Sequence, residues 1–390
     1  MTEKYKYIVV GAGVAGAFAV QELVEKDSQS SILLVGQESF KPYERPPLSK
    51  YLWEGETDED SIFYDIPEQV DVLTDTQVTA IDRQMKTIET NQGQTFSYEK
   101  LMLATGGLPR RLSGPESERV MTYRSLADYK HLRSLLHEDS KVILAGGGFI
   151  GCEVAASMRE VDVQSSIIYS GDLLGEKLFP EEIARDYTQL FVDRGVELIK
   201  GKRVEGYHLE DSKVIVQTND GQEYRADVLV LGLGIEANTA LAEECGLEVD
   251  NGVVVNEFFQ TRDADIYAVG DIANYPDQVQ GRTRLEHVDH ARMSAKIAAR
   301  NMVGQKQAYT YIPLFYSDVF DNEWEGYGLL DSRLDMVIED LGNARLVYYL
   351  DGDQPKGFLN YNIYTNRKQI RSFLKEDHVD PSQVKSRVKE

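Results

Sequence analysis

Two copies of one pattern dominate this sequence. Residues 6–16 read KYIVVGAGVAG and residues 141–151 read KVILAGGGFIG. Each passes from a short apolar run into GxGxxG and then into the apolar face of a helix, expected to extend through Leu23 and Met158. A second apolar strand follows each copy, SILLV at 31–35 and SIIY at 166–169. Each half later carries a strand ending at glycine, KLMLATG at 100–106 and DVLVLG at 227–232. In such a turn the first glycine makes the tight reversal and the second lets backbone N–H groups approach a pyrophosphate. The third lets the helix pack on the strand, with its positive end toward the phosphates. One match is weak in a chain with 31 glycines. Two, each set between a strand and a helix, predict two doubly wound dinucleotide-binding domains.

Within the halves, ahead of the strand that ends at glycine, lie period-two stretches such as KVIVQT at 213–218, followed by an Asn-Asp-Gly turn and Tyr224. They are expected to form antiparallel excursions of about three strands inside each α/β unit. Breaks fall near residues 109–115 and 235–238. IYAVGD at 266–271 leads into a helix expected from Val288 to Met302. After Gly304 aromatics become dense, and LVYYL at 346–350, an Asp-Gly turn and FLNYNIY at 358–364 read as a β-hairpin. The tail after Glu376 is polar and is expected to fray. The predicted organisation is α/β, with one Rossmann-like unit inserted into another. Residues 1–112 and 237–305 form the outer unit, 113–236 the inserted one, and 306–390 a small C-terminal α+β domain rich in β-structure.

Charge narrows the partners. The chain has 42 Lys and Arg against 65 Asp and Glu, a net of −23 at pH 7. Phosphate backbones and anionic membrane surfaces are repelled, so neither nucleic acid nor membrane is expected as a partner. Cys152 and Cys245 are the two cysteines, too few for a disulfide scaffold, a Cys-rich zinc site or a cysteine-ligated cluster. They also form no CxxxxC redox pair. The first strand begins almost at Met1, and the longest apolar stretch, residues 8–20, is short and interrupted by three glycines. No signal peptide or membrane span is legible, and a soluble, reducing, cytoplasmic setting is expected. His287 and His290 have an i, i+3 spacing, but with six histidines in all and no third ligand nearby, no metal is expected.

A further string, KPYERPPLSK at 41–50, follows the second strand of the first unit. Alone it reads as a rigid Pro-Pro loop. Taken with ATG at 104–106, Gly270 and Asp271, and RLEHVDHA at 284–291, it carries a family resemblance. The chain resembles FAD-dependent pyridine nucleotide oxidoreductases of the oxygenase-coupled ferredoxin and rubredoxin reductase type. That group also includes apoptosis-inducing-factor-like proteins and monodehydroascorbate reductases. The resemblance runs from residue 7 to about residue 374, and PYERPPLSK is its most specific element.

The resemblance implies FAD in the first unit and NAD(P)H in the second. Gly11, Gly13, Ala15 and Gly16 would hold the FAD pyrophosphate, with Ala104, Thr105 and Gly106 lining the same site. Arg45 and Arg110 would face its phosphates or adenine. Asp271, beside Gly270, would accept hydrogen bonds from the ribityl hydroxyls. Gly146, Gly148, Phe149, Ile150 and Gly151, with Gly232, would hold the nicotinamide dinucleotide. Lys50 would sit beside flavin N5 on the nicotinamide side, with Glu153 near both. Hydride leaves nicotinamide C4 for flavin N5 while negative charge develops over N1–C2=O, so a lysine near N5 and a helix N-terminus near N1 favour the reduced flavin. The helix starting near His287 and Val288, just after Glu286, would play that second part. The bland readings are an exposed lysine, a first-turn acid favoured by the helix dipole and a turn aspartate.

Several positions depart from the family pattern. Gln37 stands where an acid usually grips the FAD adenosine ribose, with Glu38 one place on. At the matching point of the second unit, members often carry Glu for the NADH ribose, whereas this chain has Ser170, Gly171 and Asp172. Asp172 can reach ribose hydroxyls, and no Arg or Lys stands there for a 2′-phosphate, which points to NADH with NADPH as the alternative. Val288 replaces the Trp of several ferredoxin reductases, and EHVDHAR at 286–292 is most similar to monodehydroascorbate reductases. Related water-forming NADH oxidases and CoA-disulfide reductases need a redox cysteine just before the second FAD loop, and residues 44–50 contain none. Cys152 reads as a small helix-packing residue, so electrons must leave reduced FAD for an external acceptor. Most rings of PLFYSDVF at 313–320, with Trp324 and Tyr327, read as core. The resemblance places Tyr316 or Trp324 against the flavin face where an acceptor docks.

The leading expectation is an NAD(P)H:acceptor oxidoreductase, monomer or homodimer, that reduces an electron-acceptor protein such as ferredoxin or rubredoxin. Reduction of a small acceptor (a monodehydroascorbate-type radical or a quinone) and an apoptosis-inducing-factor-like redox sensor are the alternatives. Ferredoxins and rubredoxins are typically acidic. A local basic patch would then be required, from Arg282, Arg284 and Arg292 or from Arg367, Lys368 and Arg371, unless the carrier is not acidic.

Overall fold

The apolar runs ahead of the two glycine motifs each become a central strand of a parallel sheet in the computed structural model, which describes residues 2–389. The fold is α/β, and the chain divides into two units.

The first unit comprises Met1–Glu44, Ile62–Leu108 and Ala237–Phe315. Strand Glu3–Val10 pairs in parallel with Ile32–Val35 on one side and Thr95–Leu103 on the other. Val70–Leu73 extends the sheet beyond Ile32–Val35. The far edge of Thr95–Leu103 is shared. Its C-terminal half takes Ile266–Ala268 in parallel, and its N-terminal half takes the antiparallel hairpin Val78–Asp82 and Thr87–Thr90. Ile8, Val9, Leu101 and Met102 are fully buried, which is why these strands read as unbroken apolar runs rather than alternating ones. Helices Val14–Lys26 and Val288–Met302 pack against each other, and the second has the bounds the periodicity predicts.

The second unit comprises Arg45–Ser61, Pro109–Glu236 and Tyr316–Glu390. Its parallel sheet has the order Glu197–Ile199, Gln164–Ile168, Lys141–Ala145, Val228–Leu231, Val120–Thr122. The excursion predicted near residue 213 is the antiparallel trio Val204–Glu210, Lys213–Thr218 and Glu223–Ala226. The C-terminal segment forms a second, antiparallel sheet. Asn322–Gly328 pairs with Gln354–Tyr361, which pairs with Arg345–Asp351, which pairs with Asp335–Asp340. The tail does not fray as expected. Val384 and Val388 are buried, and the Asn366 N–H donates to the Lys389 carbonyl at 2.8 Å. Two valines spaced four apart anchor an otherwise polar segment. Among the described residues, no helix is long and apolar enough to cross a membrane.

Candidate functional site

Each unit builds its own glycine cradle. In the first, Gly11 ends the central strand with φ +113°, and a Cβ there would lie 2.1 Å from the Ala104 carbonyl oxygen. The Ala104 N–H in turn donates to the Val10 carbonyl at 2.7 Å, so residues 104–106 abut the turn. Only glycine meets both demands. The Val14–Lys26 helix starts at Gly13 with no side-chain cap and no acid in its first turn. Its positive end is therefore left for an exogenous anion, and this fits the FAD pyrophosphate. A Cβ on Gly270 would be 3.3 Å from Ala15 Cβ and 3.7 Å from Ala291 Cβ, which brings Gly270 and Asp271, the first helix and the Val288–Met302 helix to one place. Arg284 ties that place together, donating to the Asp271 carbonyl at 2.9 Å and to Glu286 Oε1 at 2.7 Å. His287 is the N-cap of the Val288–Met302 helix and stacks on Phe315 with ring centroids 4.4 Å apart. Burial pushes its imidazole down to about 4, against the raising influence of the Asp271 carboxylate. Gln37 is exposed, and Glu38 accepts a hydrogen bond from the Tyr43 hydroxyl.

The second cradle repeats the geometry. Gly146 has φ +111°, and a Cβ on it would lie 2.3 Å from the Gly232 carbonyl oxygen. The Phe149–Glu160 helix starts at Gly148, again with no side-chain cap and no first-turn acid. A Cβ on Gly148 would meet nothing within 4 Å, so the helix end opens onto free space. Phe149 and Ile150 are 43% and 39% exposed at that opening. These residues fit a second dinucleotide, and Asp172 is exposed on a loop of the same unit.

Four helical residues past Phe149, Glu153 anchors a buried polar cluster. Its Oε1 accepts from Ser317 Oγ at 2.6 Å and lies 3.2 Å from Lys50 Nζ, while its Oε2 accepts from Ser49 Oγ at 2.6 Å. Lys50 Nζ is also 3.5 Å from Asp318 Oδ2, which accepts from the Tyr51 hydroxyl at 2.8 Å. Burial, reinforced by that carboxylate, pushes the Tyr51 phenol far above its ordinary range, so it stays a donor. Ser157 Oγ donates to the Ser49 carbonyl at 2.7 Å and pins the end of the PPLSK turn to the helix. Two carboxylates thus hold one ammonium, and three hydroxyls donate to the same carboxylates. The Lys50 and Glu153 of the sequence reading are brought together. Ser49, Tyr51, Ser317 and Asp318 were not singled out, although both serines and the aspartate lie in strings that were.

Other candidates are spread over the second unit. The half-buried Arg45 donates to the Arg124 carbonyl at 2.7 Å, and the exposed Arg110 lies 3.4 Å from Glu236. Tyr316 is 38% exposed, and its ring centroid is 4.8 Å from Lys50 Nζ. Trp324 is 2% exposed and packs on Phe149 and Phe179 at 5.5 and 5.2 Å between ring centroids. Trp324 is therefore a core residue, and of the two rings Tyr316 is the one that reaches solvent. The arginines of the expected basic patches all have partners within the chain, while Lys368 is exposed. Arg282 donates to the Val255 and Asn274 carbonyls, Arg284 is bound as above, and Arg292 pairs with Glu44. Arg367 pairs with the buried Glu325, and Arg371 lies over the Tyr327 ring. Among the described residues, no cluster of three or more His, Cys, Asp or Glu could hold a metal.

Residues 5–295 match the family model described as pyridine nucleotide-disulphide oxidoreductase. The chain is 31% identical over 360 residues to a monodehydroascorbate reductase of Solanum lycopersicum, covering 84% of this chain and 83% of that protein. It is 30% identical over 354 residues to the benzene 1,2-dioxygenase system ferredoxin–NAD(+) reductase subunit of Pseudomonas putida, covering 88% of this chain and 86% of that one. Among solved structures, the covalent putidaredoxin reductase–putidaredoxin complex matches with a TM-score of 0.86 and 30% identity, covering 92% of this chain and 90% of that one.

Proposed function

This chain belongs to the pyridine nucleotide-disulphide oxidoreductase family as an FAD-dependent NAD(P)H oxidoreductase, and we propose that it oxidises NADH and passes the electrons to an external carrier protein of ferredoxin or rubredoxin type. Bound FAD would supply a hydride acceptor at N5 that can release its electrons singly. The reading is carried by two glycine cradles in a chain whose two cysteines are free thiols and form no disulfide pair. Cys152 is 2% exposed, and burial pushes it up to about 12. Burial also raises the Cys245 thiol, and thiolates, not thiols, do redox chemistry.

In this reading residues 1–112 and 237–305 form the flavin unit, 113–236 the nicotinamide unit and 306–390 the acceptor-side domain. Gly11, Gly13, Ala15, Gly16 and residues 104–106 hold the flavin dinucleotide, with Glu38 toward its ribose and Asp271 toward its ribityl chain. Gly146, Gly148 and Gly151 hold the nicotinamide dinucleotide. Lys50 supplies fixed positive charge for hydride transfer, and Glu153 and Asp318 orient it. The N-terminal end of the Val288–Met302 helix supplies a second positive pole. Its first-turn Asp289 accepts from the Tyr311 hydroxyl and the Leu314 N–H. An iron–sulfur acceptor is favoured by likeness to a named ferredoxin–NAD(+) reductase and to a reductase solved with putidaredoxin. A small-radical acceptor is the second reading. It is favoured by the internally committed arginines on a chain of net charge −23, which would repel an acidic carrier.

Anaerobic stopped-flow mixing of the FAD-loaded protein with NADH tests the first half, since rapid flavin bleaching is expected and an oxidised flavin would end the proposal. NADH consumption is then followed with ferredoxin, rubredoxin, quinone, monodehydroascorbate radical or oxygen. Turnover with the radical and with no iron–sulfur carrier selects the second reading.

A further inference from the structure

The loop after strand Gln164–Ile168 is closed by a carboxylate of its own. Glu176 Oε2 accepts the backbone N–H of Asp172 at 2.9 Å and that of Leu173 at 3.1 Å. Its other oxygen fills the space over Gly171, where a Cβ would lie 2.3 Å from Oε1. The loop rests directly on the glycine turn. A Cβ on Gly147 would be 2.9 Å from Leu174 Cδ2 and 3.0 Å from Tyr169 Cβ. The loop is held in shape by the Leu174 N–H donating to Thr188 Oγ1 at 2.8 Å and the Gly201 N–H donating to the Gly171 carbonyl at 3.0 Å. Glu176 is therefore a fixed part of the same edge as the second cradle.

In a doubly wound nucleotide domain the end of the second strand meets the adenosine ribose, where a 2′-hydroxyl marks NADH and a 2′-phosphate marks NADPH. Successive backbone N–H groups form a concavity that attracts anions. A 2′-phosphate needs such donors, together with an arginine or lysine. Here the N–H groups of residues 172 and 173 already point at a protein carboxylate, and Asp172 adds another acid on the same loop. No Arg or Lys lies between residues 170 and 176, and the first basic residue of the loop, the exposed Lys177, follows Glu176. We propose that Glu176 excludes the 2′-phosphate by filling its anion nest with the protein's own charge, so that the site takes an adenosine ribose with a free 2′-hydroxyl. The inference rests on the reading of the second unit as the nicotinamide site.

Calorimetric binding of 5′-AMP and 2′,5′-ADP to the FAD-loaded full chain tests it, with wild type, Glu176→Ala and Glu176→Gln. The wild type should prefer 5′-AMP by about tenfold or more. Glu176→Ala empties the two N–H groups and should shift the ratio toward 2′,5′-ADP by about tenfold or more, with 5′-AMP affinity changed by less than about threefold. Glu176→Gln keeps an acceptor without the charge and should fall between. An unchanged ratio in both variants overturns the proposal. So does a proportionate loss of both ligands, which is what a purely structural loop cap would produce. A wild type that binds neither nucleotide instead fails the assignment of the second unit, and the inference falls with it.

Discussion

Lys50 Nζ lies 3.2 Å from Glu153 Oε1 with the two side chains only 3% and 8% exposed, so this ion pair is sealed from water. Removing one member of such a pair strands the other charge, at a cost of ~3–5 kcal/mol, whereas neutralising both costs much less. Lys50→Met is accordingly expected to lose ~3 kcal/mol or more in urea unfolding. Adding Glu153→Gln, which still accepts from Ser49 and Ser317, should recover most of it. Flavin reduction by NADH should stay slow in the recovered double variant, by about tenfold or more. Fast reduction there would remove the pair from the chemistry while leaving its structural role intact.

How far the sequence reaches is visible in this cluster. Lys50 and Glu153 are legible because each sits in a local string with a recognisable geometry, a Pro-Pro turn and a glycine-motif helix. Asp318 joins them across 268 positions, and Ser317 reaches Glu153 across 164. Nothing within a few residues of either marks that meeting. Helix Val288–Met302 is legible to the residue because its period is local. Glu176 is not, because an acid in a polar loop looks solvated until its two backbone donors are placed. The tail fails for the same reason: Val384 and Val388 reveal an anchor only once the surface that buries them exists.

Gly11 and Gly148 separate folding from binding. At Gly11 an alanine must adopt φ +113° and place its Cβ 2.1 Å from a backbone oxygen, so Gly11→Ala should yield protein without bound flavin, read as the ratio of 450 nm to 280 nm absorbance. Gly148 has φ −82° and open space above it. Gly148→Ala should keep stability within ~1 kcal/mol and raise the KM for NADH, because the added methyl occupies the approach to the helix N-terminus. An unchanged KM would show that the dinucleotide does not pass over Gly148.

His290 should make the protein acid-sensitive well above the carboxylate range. It is fully buried, stacked on Tyr275 at 4.6 Å and 15°, with Nδ1 3.2 Å from the Tyr309 hydroxyl. Burial, with a smaller contribution from His287, pushes it down to about 3 from the ordinary 6.5. Between those values the unfolded chain binds the extra proton. The stabilisation is thus complete above pH 6.5 and is lost as pH falls through the window, at ~1.4 kcal/mol per pH unit for each such proton. His290→Phe keeps the stack and removes the titration. Urea unfolding between pH 6.5 and 5 should show a slope smaller by about one proton in that variant, leaving the part due to His287. Equal slopes would mean that His290 titrates normally.

Tyr316 and Trp324 offered the same sequence signal, an aromatic in the C-terminal domain, and the structure assigns them opposite burdens. Trp324 is packed between Phe149 and Phe179, so Trp324→Ala should destabilise by ~3–5 kcal/mol through the cavity it leaves. Tyr316 is 38% exposed, and its ring is the outer neighbour of Lys50 Nζ at 4.8 Å. Losing a cation–π contact of that kind costs only ~0.5–1 kcal/mol, so Tyr316→Ala should fold as the wild type does. If Tyr316 lies on the acceptor side, the two half-reactions must separate in this variant. Flavin reduction by NADH should stay within about twofold, while kcat/KM for the electron acceptor falls by about tenfold or more. A loss confined to the NADH half-reaction would instead place the ring on the nicotinamide side, where its influence runs through Lys50.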